Sequence, residues 1–162
     1  MVRTSLVLLS LLLAACSAVG NKDSPKEKPA EPRALRVEGI SSGAPGQGPQ
    51  SPRVLVAPSA LSKEIGASVP SDSGRGIYMI AYWGEKPTGG YSLAVESARV
   101  EGDKVTVRLR LKEPPPDAMV TQALTYPYAA AVVRDVDLQG KEFSFVEKDG
   151  RKLDWPVRRV SG

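Results

Sequence analysis

Residues 105–112 alternate strictly between apolar and polar side chains, and this alternation limits the fold more than any other feature of the sequence. In one extended strand, the apolar and the polar side chains would lie on opposite faces. The apolar face would carry Val105, Val107, Leu109 and Leu111, and the polar face Thr106, Arg108, Arg110 and Lys112. A period of two is typical of a strand that covers a core on one face and meets water on the other. The sequence therefore predicts a β-rich domain that contains this strand.

A second strand is predicted immediately before it. Tyr91, Leu93 and Val95 alternate, but the apolar phase then slips to Ala98 and Val100. A β-bulge near Ser97 would account for the slip. Residues 101–104, Glu-Gly-Asp-Lys, join the two strands, and the glycine can supply the positive φ of a hairpin turn.

Further apolar stretches predict strands at residues 54–57, 77–83, 119–125, 129–136, 143–147 and 153–157. Residues 148–151, Lys-Asp-Gly-Arg, indicate a second hairpin. Ser59 could cap one short helix that ends at Ile65. Because 14 prolines and 15 glycines separate short strands, we predict a small antiparallel β-sandwich or partly open barrel with at most one short helix.

The amino terminus predicts export and lipid attachment. Arg3 precedes an apolar run at residues 5–15, which ends in Leu-Ala-Ala before Cys16. A charged start, an apolar run and small residues before a cysteine are typical of a lipoprotein signal peptide, with Cys16 as the lipidation site. The weaker alternatives are an ordinary secretory signal with a chance cysteine and a transmembrane anchor. A spanning helix needs about 20 apolar residues, more than this run contains.

This pattern predicts that the chain is divided into three parts. Residues 1–15 are predicted to be a lipoprotein signal peptide, residues 16–32 a lipidated flexible tether, and residues 33–162 a single β-rich domain. The polar residues 41–52 are either a long loop of that domain or further linker. We expect the protein to be extracytoplasmic and lipid-anchored, because two or more acyl chains give stable attachment. Ser17 follows the cysteine where an Asp would retain the protein, and this resemblance to known sorting rules leaves both the cell membrane and an outer membrane open.

Composition excludes several functions. The sequence has no histidine, and its single cysteine is the predicted lipidation site, which leaves no thiol for a disulfide, a metal or a nucleophile. No metal site and no cofactor are predicted. A Ser62-Lys63 dyad or a carboxylate pair could act in principle, but neither has a visible motif, so we expect a protein that is not an enzyme. A formal net charge of +4 is too small to indicate nucleic-acid binding.

Residues 84–91, Gly-Glu-Lys-Pro-Thr-Gly-Gly-Tyr, form the most distinctive segment. They begin with the glycine spacing of a phosphate-binding loop, but Gly90 and Tyr91 occupy the positions where that motif needs Lys and Ser or Thr. The residues that follow are predicted to form a strand, whereas a phosphate loop opens a helix. The segment is therefore not a phosphate site.

Here the sequence resembles the PrcB-type lipoproteins, which are named for a subunit of a bacterial surface protease complex. Their C-terminal domain carries Gly-x-x-x-Thr-Gly-Gly-Tyr, then a β-hairpin, a proline-containing turn and a Pro-Tyr element. The matching positions are Gly84 with residues 88–91, the hairpin at 101–104, the prolines at 114–116, and residues 126–128. This resemblance covers about residues 78–136. It implies a non-catalytic accessory role in a protein complex of the cell envelope.

Residues 84–91 have two interpretations. They form either a structural turn with Tyr91 in the core or a loop that binds a protein partner. The candidate partner-binding residues are Lys86, Pro87, Thr88, Gly89, Gly90, Tyr91 and Tyr128, with Tyr82 and Trp83 as nearby aromatic anchors. The Pro-Thr-Gly order also resembles the loop that chagasin-type inhibitors insert into cysteine proteases. Protease inhibition is therefore the alternative function, and a hydrolase of unknown type ranks third.

We predict that Cys16→Ser gives an unprocessed precursor or a released protein, because the acyl chains then have no attachment point. Metabolic labelling with radioactive palmitate checks this. The wild-type protein should incorporate label and the variant should not. Label in the variant would contradict lipidation at Cys16.

Overall fold

A computed structural model describes residues 31–58 and 76–160, and in these residues every regular element is a strand. The strands are β1 Arg33–Leu35, β2 Val37–Gly43, β3 Arg53–Ala57, β4 Gly76–Tyr82, β5 Ser92–Glu101, β6 Lys104–Lys112, β7 Tyr128–Arg134, β8 Glu142–Glu147, β9 Lys152–Leu153 and β10 Val157–Arg159. The predicted signal peptide, Cys16, the tether before residue 31 and the helix expected at residues 59–65 lie outside the described residues.

The strands form two sheets that pack face to face. The first sheet has the order β1-β5-β6-β8-β9 and the second sheet the order β10-β3-β4-β7-β2, and neither closes into a barrel. Both contribute to one apolar core, whose fully buried side chains include Val105, Val107, Leu109 and Phe145 from the first sheet and Val54, Val56, Ile77 and Met79 from the second. The predicted β-sandwich is therefore confirmed.

The central hairpin agrees with its sequence pattern. Val105, Val107 and Leu109 are buried in β6, whereas Arg108 and Arg110 are exposed. β5 pairs with β6 from Ser92 opposite Lys112 to Glu101 opposite Lys104, and the register shifts between Val95 and Ser97. This shift is the predicted bulge. Gly102 in the turn has φ +55°, which favours glycine.

The central strands of the second sheet are apolar on both faces. In β4, Ile77 and Met79 face the core between the sheets, while Tyr78 and Ile80 belong to a smaller apolar cluster on the opposite face. Burial on both sides explains why β4 reads as a continuous apolar run rather than as an alternation.

Two predicted strands are wrong. Residues 119–125 form no strand, and Thr125 alone makes an isolated bridge, with Lys86. Residues 153–157 do not form one strand either, because Lys152–Leu153 belongs to the first sheet and Val157–Arg159 to the second. Pro127 follows the first segment and Pro156 interrupts the second. Proline has no N–H to donate to a ladder, so Pro156 separates β9 from β10, while residues 119–125 lie in a loop between Pro116 and Pro127.

The two amino-terminal strands were not predicted, because they carry little apolar pattern. β1 pairs with β5 and β2 pairs with β7, both antiparallel. The carboxyl end of β2 contains Ser41, Ser42 and Gly43, so backbone pairing and not side-chain burial defines it. The segment after it, residues 44–52, is a loop within the domain.

Two strand pairs are parallel, which the predicted antiparallel arrangement did not include. β8 lies parallel to β6, and β10 lies parallel to β3. Parallel neighbours need a crossover connection instead of a tight turn. The second hairpin prediction holds, since β8 and β9 are antiparallel and Gly150 between them has φ +90°.

The burial of β6 gives a stability prediction. Val107→Asp would place an unpaired carboxylate in the core and should cost about 4 kcal/mol or more, or force the carboxyl group to stay protonated. Arg108→Ala, one residue away on the exposed face, should change the free energy of unfolding by less than about 0.5 kcal/mol. Urea denaturation compares the two variants. Equal midpoints would mean that the faces are assigned wrongly.

Candidate protein-binding surface

Three loops lie together at one end of the sandwich. They are residues 44–52 between β2 and β3, residues 83–91 between β4 and β5, and residues 113–127 between β6 and β7. Strand direction places them there, because β2, β4 and β6 end at this edge, while β3, β5 and β7 begin at it. Arg33 pairs with Val100 beside the Gly102 turn, so the first described strand begins at the opposite end of the sandwich.

Backbone hydrogen bonds join residues 84–91 to residues 113–127. Lys86 and Thr125 exchange N–H···O bonds of 2.8 and 3.0 Å, and the Gly89 N–H donates to the Thr121 carbonyl at 2.8 Å. The Thr125 hydroxyl also donates to the Thr88 carbonyl at 2.7 Å. These bonds fix the distinctive glycine segment against its neighbour from inside the same chain.

Residues 44–52 are attached to the same assembly. The Glu85 N–H donates to the Gln50 carbonyl, and the Tyr126 N–H donates to the Pro45 carbonyl, both at 2.9 Å. A Cβ on Gly84 would lie 2.7 Å from the Gln50 carbonyl oxygen. The backbone approaches so closely there that only glycine fits.

Gly90 is required for two reasons. Its φ of +84° lies in the left-handed region, and a Cβ would stand 2.8 Å from the Pro114 Cβ and 2.9 Å from Val120 Cγ1. Both the backbone conformation and the packing of residues 113–127 therefore depend on glycine at this position.

The Lys86 side chain points back toward two aromatic rings. Its Nζ lies 4.3 Å from the centroid of the Trp83 ring and 5.7 Å from that of Tyr91, and the two rings meet edge to face at 5.6 Å. Partial burial lowers the pKa of Lys86, while the Glu113 carboxylate opposes this shift. The ammonium group therefore stabilises the loop from within and is only partly available to a partner.

Tyr126 and Glu85 form a polar link between two of the loops. The Tyr126 hydroxyl donates to Glu85 Oε2 at 2.6 Å. This hydrogen bond, with smaller contributions from desolvation and the charge of Glu85, raises the pKa of Tyr126. The Tyr126 hydroxyl therefore keeps the proton that it donates throughout the neutral range.

The other candidate residues fall into two places. Pro87 is exposed, whereas Thr88, Gly89 and Tyr91 are half-buried against residues 113–127 and Trp83. Tyr128 lies on the opposite face of the second sheet, in the smaller apolar cluster. The structure thus brings residues 86–91 together but separates Tyr128 from them.

Tyr128 belongs to a second aromatic group. Its ring lies 6.2 Å from that of Tyr82, and its hydroxyl is 3.0 Å from the Ser41 hydroxyl. The Arg53 guanidinium stands 5.8 Å from the Tyr82 centroid. This group borders an open groove of about 340 Å³ that is lined by Pro45, Gln47, Gly48, Pro49, Arg53, Tyr82 and Tyr128.

Two exposed apolar side chains at this end were missed by sequence reasoning. Met119 is 103% exposed and Leu124 is 51% exposed, both in residues 113–127. The strand predicted at 119–125 assigned them to a sheet. The three consecutive prolines at 114–116 and Pro127 could have indicated a loop, since proline does not continue a central strand.

Within the described ranges, no group of three or more His, Cys, Asp and Glu side chains could hold a metal ion. In residues 31–58 and 76–160, no helix is long and apolar enough to cross a membrane.

The described residues thus form a two-sheet β domain with three joined loops at one end. The central part of the chain is similar to a known family: the sequence model of the family described as PrcB C-terminal matches residues 77–134. The resemblance expected from the sequence is confirmed over β4 to β7, and it suggests a family of subunits associated with protease complexes. No curated protein and no solved structure matches the chain.

The geometry at Gly90 gives a prediction with a matched control. Gly102 also has a positive φ, but a Cβ there would meet nothing within 4 Å. Gly102→Ala should therefore cost only the left-handed strain of about 1–2 kcal/mol. Gly90→Ala should cost about 1–3 kcal/mol more, because Pro114 and Val120 must move. Urea denaturation measures both variants, and equal losses would show that the contact at Gly90 is unimportant.

Proposed function

We propose that this protein is a non-catalytic binding or accessory subunit of a protein complex in the cell envelope, with a protease complex as the first candidate. The observation that carries the proposal is the match of the PrcB C-terminal family to residues 77–134. The matched segment includes residues 84–91 and 113–127, which join at the loop end of the sandwich. The proposed partner-binding surface lies at that end.

The proposed membrane attachment agrees with this placement. The lipobox-like sequence before Cys16 supports lipidation, and residues 16–32 would span at most about 60 Å when fully extended. The described domain begins at the end of the sandwich opposite to the three loops. A domain tethered in this way presents its loops on the side away from its attachment, where an envelope partner can reach them.

A non-catalytic role is supported by what the sequence offers. It has no histidine, and its single cysteine is assigned to lipid. The polar groups described in residues 84–91 and 113–127 mainly hydrogen-bond to one another. Such bonds maintain a shape and position no nucleophile beside a general base.

The experiment is purification of the tagged full-length lipoprotein from detergent-solubilised membranes of its own cells, followed by sedimentation. We expect a partner in a constant ratio across the peak, with any peptidase activity in the partner after the two are separated. Cys16→Ser, recovered from a detergent lysate of whole cells, serves as the control, because a partner held through the protein surface should bind the precursor or the released protein as well. A protein that sediments alone, or that hydrolyses casein when homogeneous, would contradict the proposal.

A second candidate is a chagasin-like protease inhibitor that acts through residues 86–91. The observation that favours it is the presence of three loops at one end of a β-sandwich, with Pro87 exposed on the middle one. Titration of papain with the purified full-length protein distinguishes the two functions. Stoichiometric inhibition that Pro87→Ala weakens would support the inhibitor, and unchanged papain activity would exclude it for this class of protease.

A further inference from the structure

Residues 113–127 present two large apolar side chains to solvent. Among the described residues, the exposed large hydrophobic side chains are those of Met119, Leu124 and Val157, at 103%, 51% and 38%. The first two belong to the same loop, whereas Val157 lies on the edge strand β10. Single exposed apolar side chains are ordinary on a protein surface, but here two lie five residues apart on one loop.

The loop that carries them is held in place on both sides. The Ala118 N–H donates to the Pro115 carbonyl, and the Thr121 carbonyl accepts from Gly89. Val120 lies against Gly90, and Thr125 is bonded to Lys86. Because the backbone beside Met119 and Leu124 is already ordered, a partner that buries these side chains loses little conformational entropy.

The charge around these side chains differs in sign from that of the whole chain. Residues 113–127 contain Glu113 and Asp117 and no basic residue, while residues 44–52 contain no charge. Glu85 adds a third carboxylate, and Lys86 is directed toward Trp83. Arg53 and Lys112 stand at the same edge of the sandwich, so the acidic part is the loop at residues 113–127 itself, in a chain with a formal net charge of +4. An acidic surface disfavours an anionic lipid headgroup and favours a basic protein surface.

We infer that Met119 and Leu124 are the anchor of the partner-binding surface, and that residues 86–91 brace this anchor instead of making the contact. This inference rests on the proposed function. The partner is a protein with an apolar socket for the two side chains and basic residues around the socket. Methionine suits such a role, because its flexible thioether adapts to an irregular pocket.

The first test is a pair of matched surface variants of the full-length lipoprotein. The double variant Met119→Ser and Leu124→Ser should melt as the wild type does, because both side chains are already exposed. It should recover at least tenfold less of the partner that copurifies with the wild type. Val157→Ser removes an exposed apolar side chain elsewhere and should recover the wild-type amount.

The second test identifies what lies against the anchor. A photoreactive amino acid at position 119 should cross-link in intact cells to that same partner, within a peptide that contains apolar residues and Lys or Arg. The same group at Lys104, on the opposite end of the sandwich, should not. Asp117→Lys should weaken recovery of the partner, and charge reversal of the basic residue in the cross-linked peptide should restore it.

The outcomes separate this inference from the proposed function. If the wild type recovers a partner and the double variant recovers it equally, the inference is wrong and the proposed function stands. Cross-links from position 119 to lipid or to a second copy of this chain would also overturn the inference. If the wild type recovers no partner, the proposed function fails and the inference fails with it.

Discussion

Contact between the apolar faces of two open sheets holds this domain together, because a chain with one cysteine cannot form an internal disulfide. Val105, Val107 and Leu109 from the first sheet pack against Ile77 and Met79 from the second. These residues belong to β6 and β4, the central strands of the two sheets. Everything at the loop end, including the exposed anchor, is positioned relative to this packed centre.

The loop end is rigid for a different reason. Its connections are attached to one another mainly by backbone hydrogen bonds and by close contacts at glycine, as between Gly89 and Thr121 and between Gly90 and Pro114. Such contacts depend on the strands that carry the loops being in the correct register. A change in the core would therefore move the loops, whereas a change of an exposed side chain in a loop leaves the core intact.

The sequence allowed the fold class to be predicted, because β6 alternates and the Gly102 turn has a clear signature. The bulge before Ser97 was also predictable, since the apolar phase changes there. The edge strands were not. β2 ends in Ser and Gly, and its position is fixed by pairing with β7, which lies far away in the chain. The two parallel strand pairs were not predicted for the same reason. Strand order across a sheet depends on long-range packing, which no local sequence pattern records.

The candidate site was predictable only in part, because a glycine motif indicates a constraint on the backbone and not a contact with a partner. The order Thr88-Gly89-Gly90 is distinctive because the backbone there needs a positive φ and leaves no space for a Cβ at Gly90. The same constraints direct the groups of this segment inward, with the Gly89 N–H bonded to Thr121 and the Lys86 ammonium over Trp83. A residue that contacts a partner from a loop needs only to be exposed and to have the right polarity. Neither requirement produces a recognisable spacing of residue types in the sequence. Met119 is such a residue: it is exposed, while its neighbours Val120 and Thr121 lie against the glycine segment.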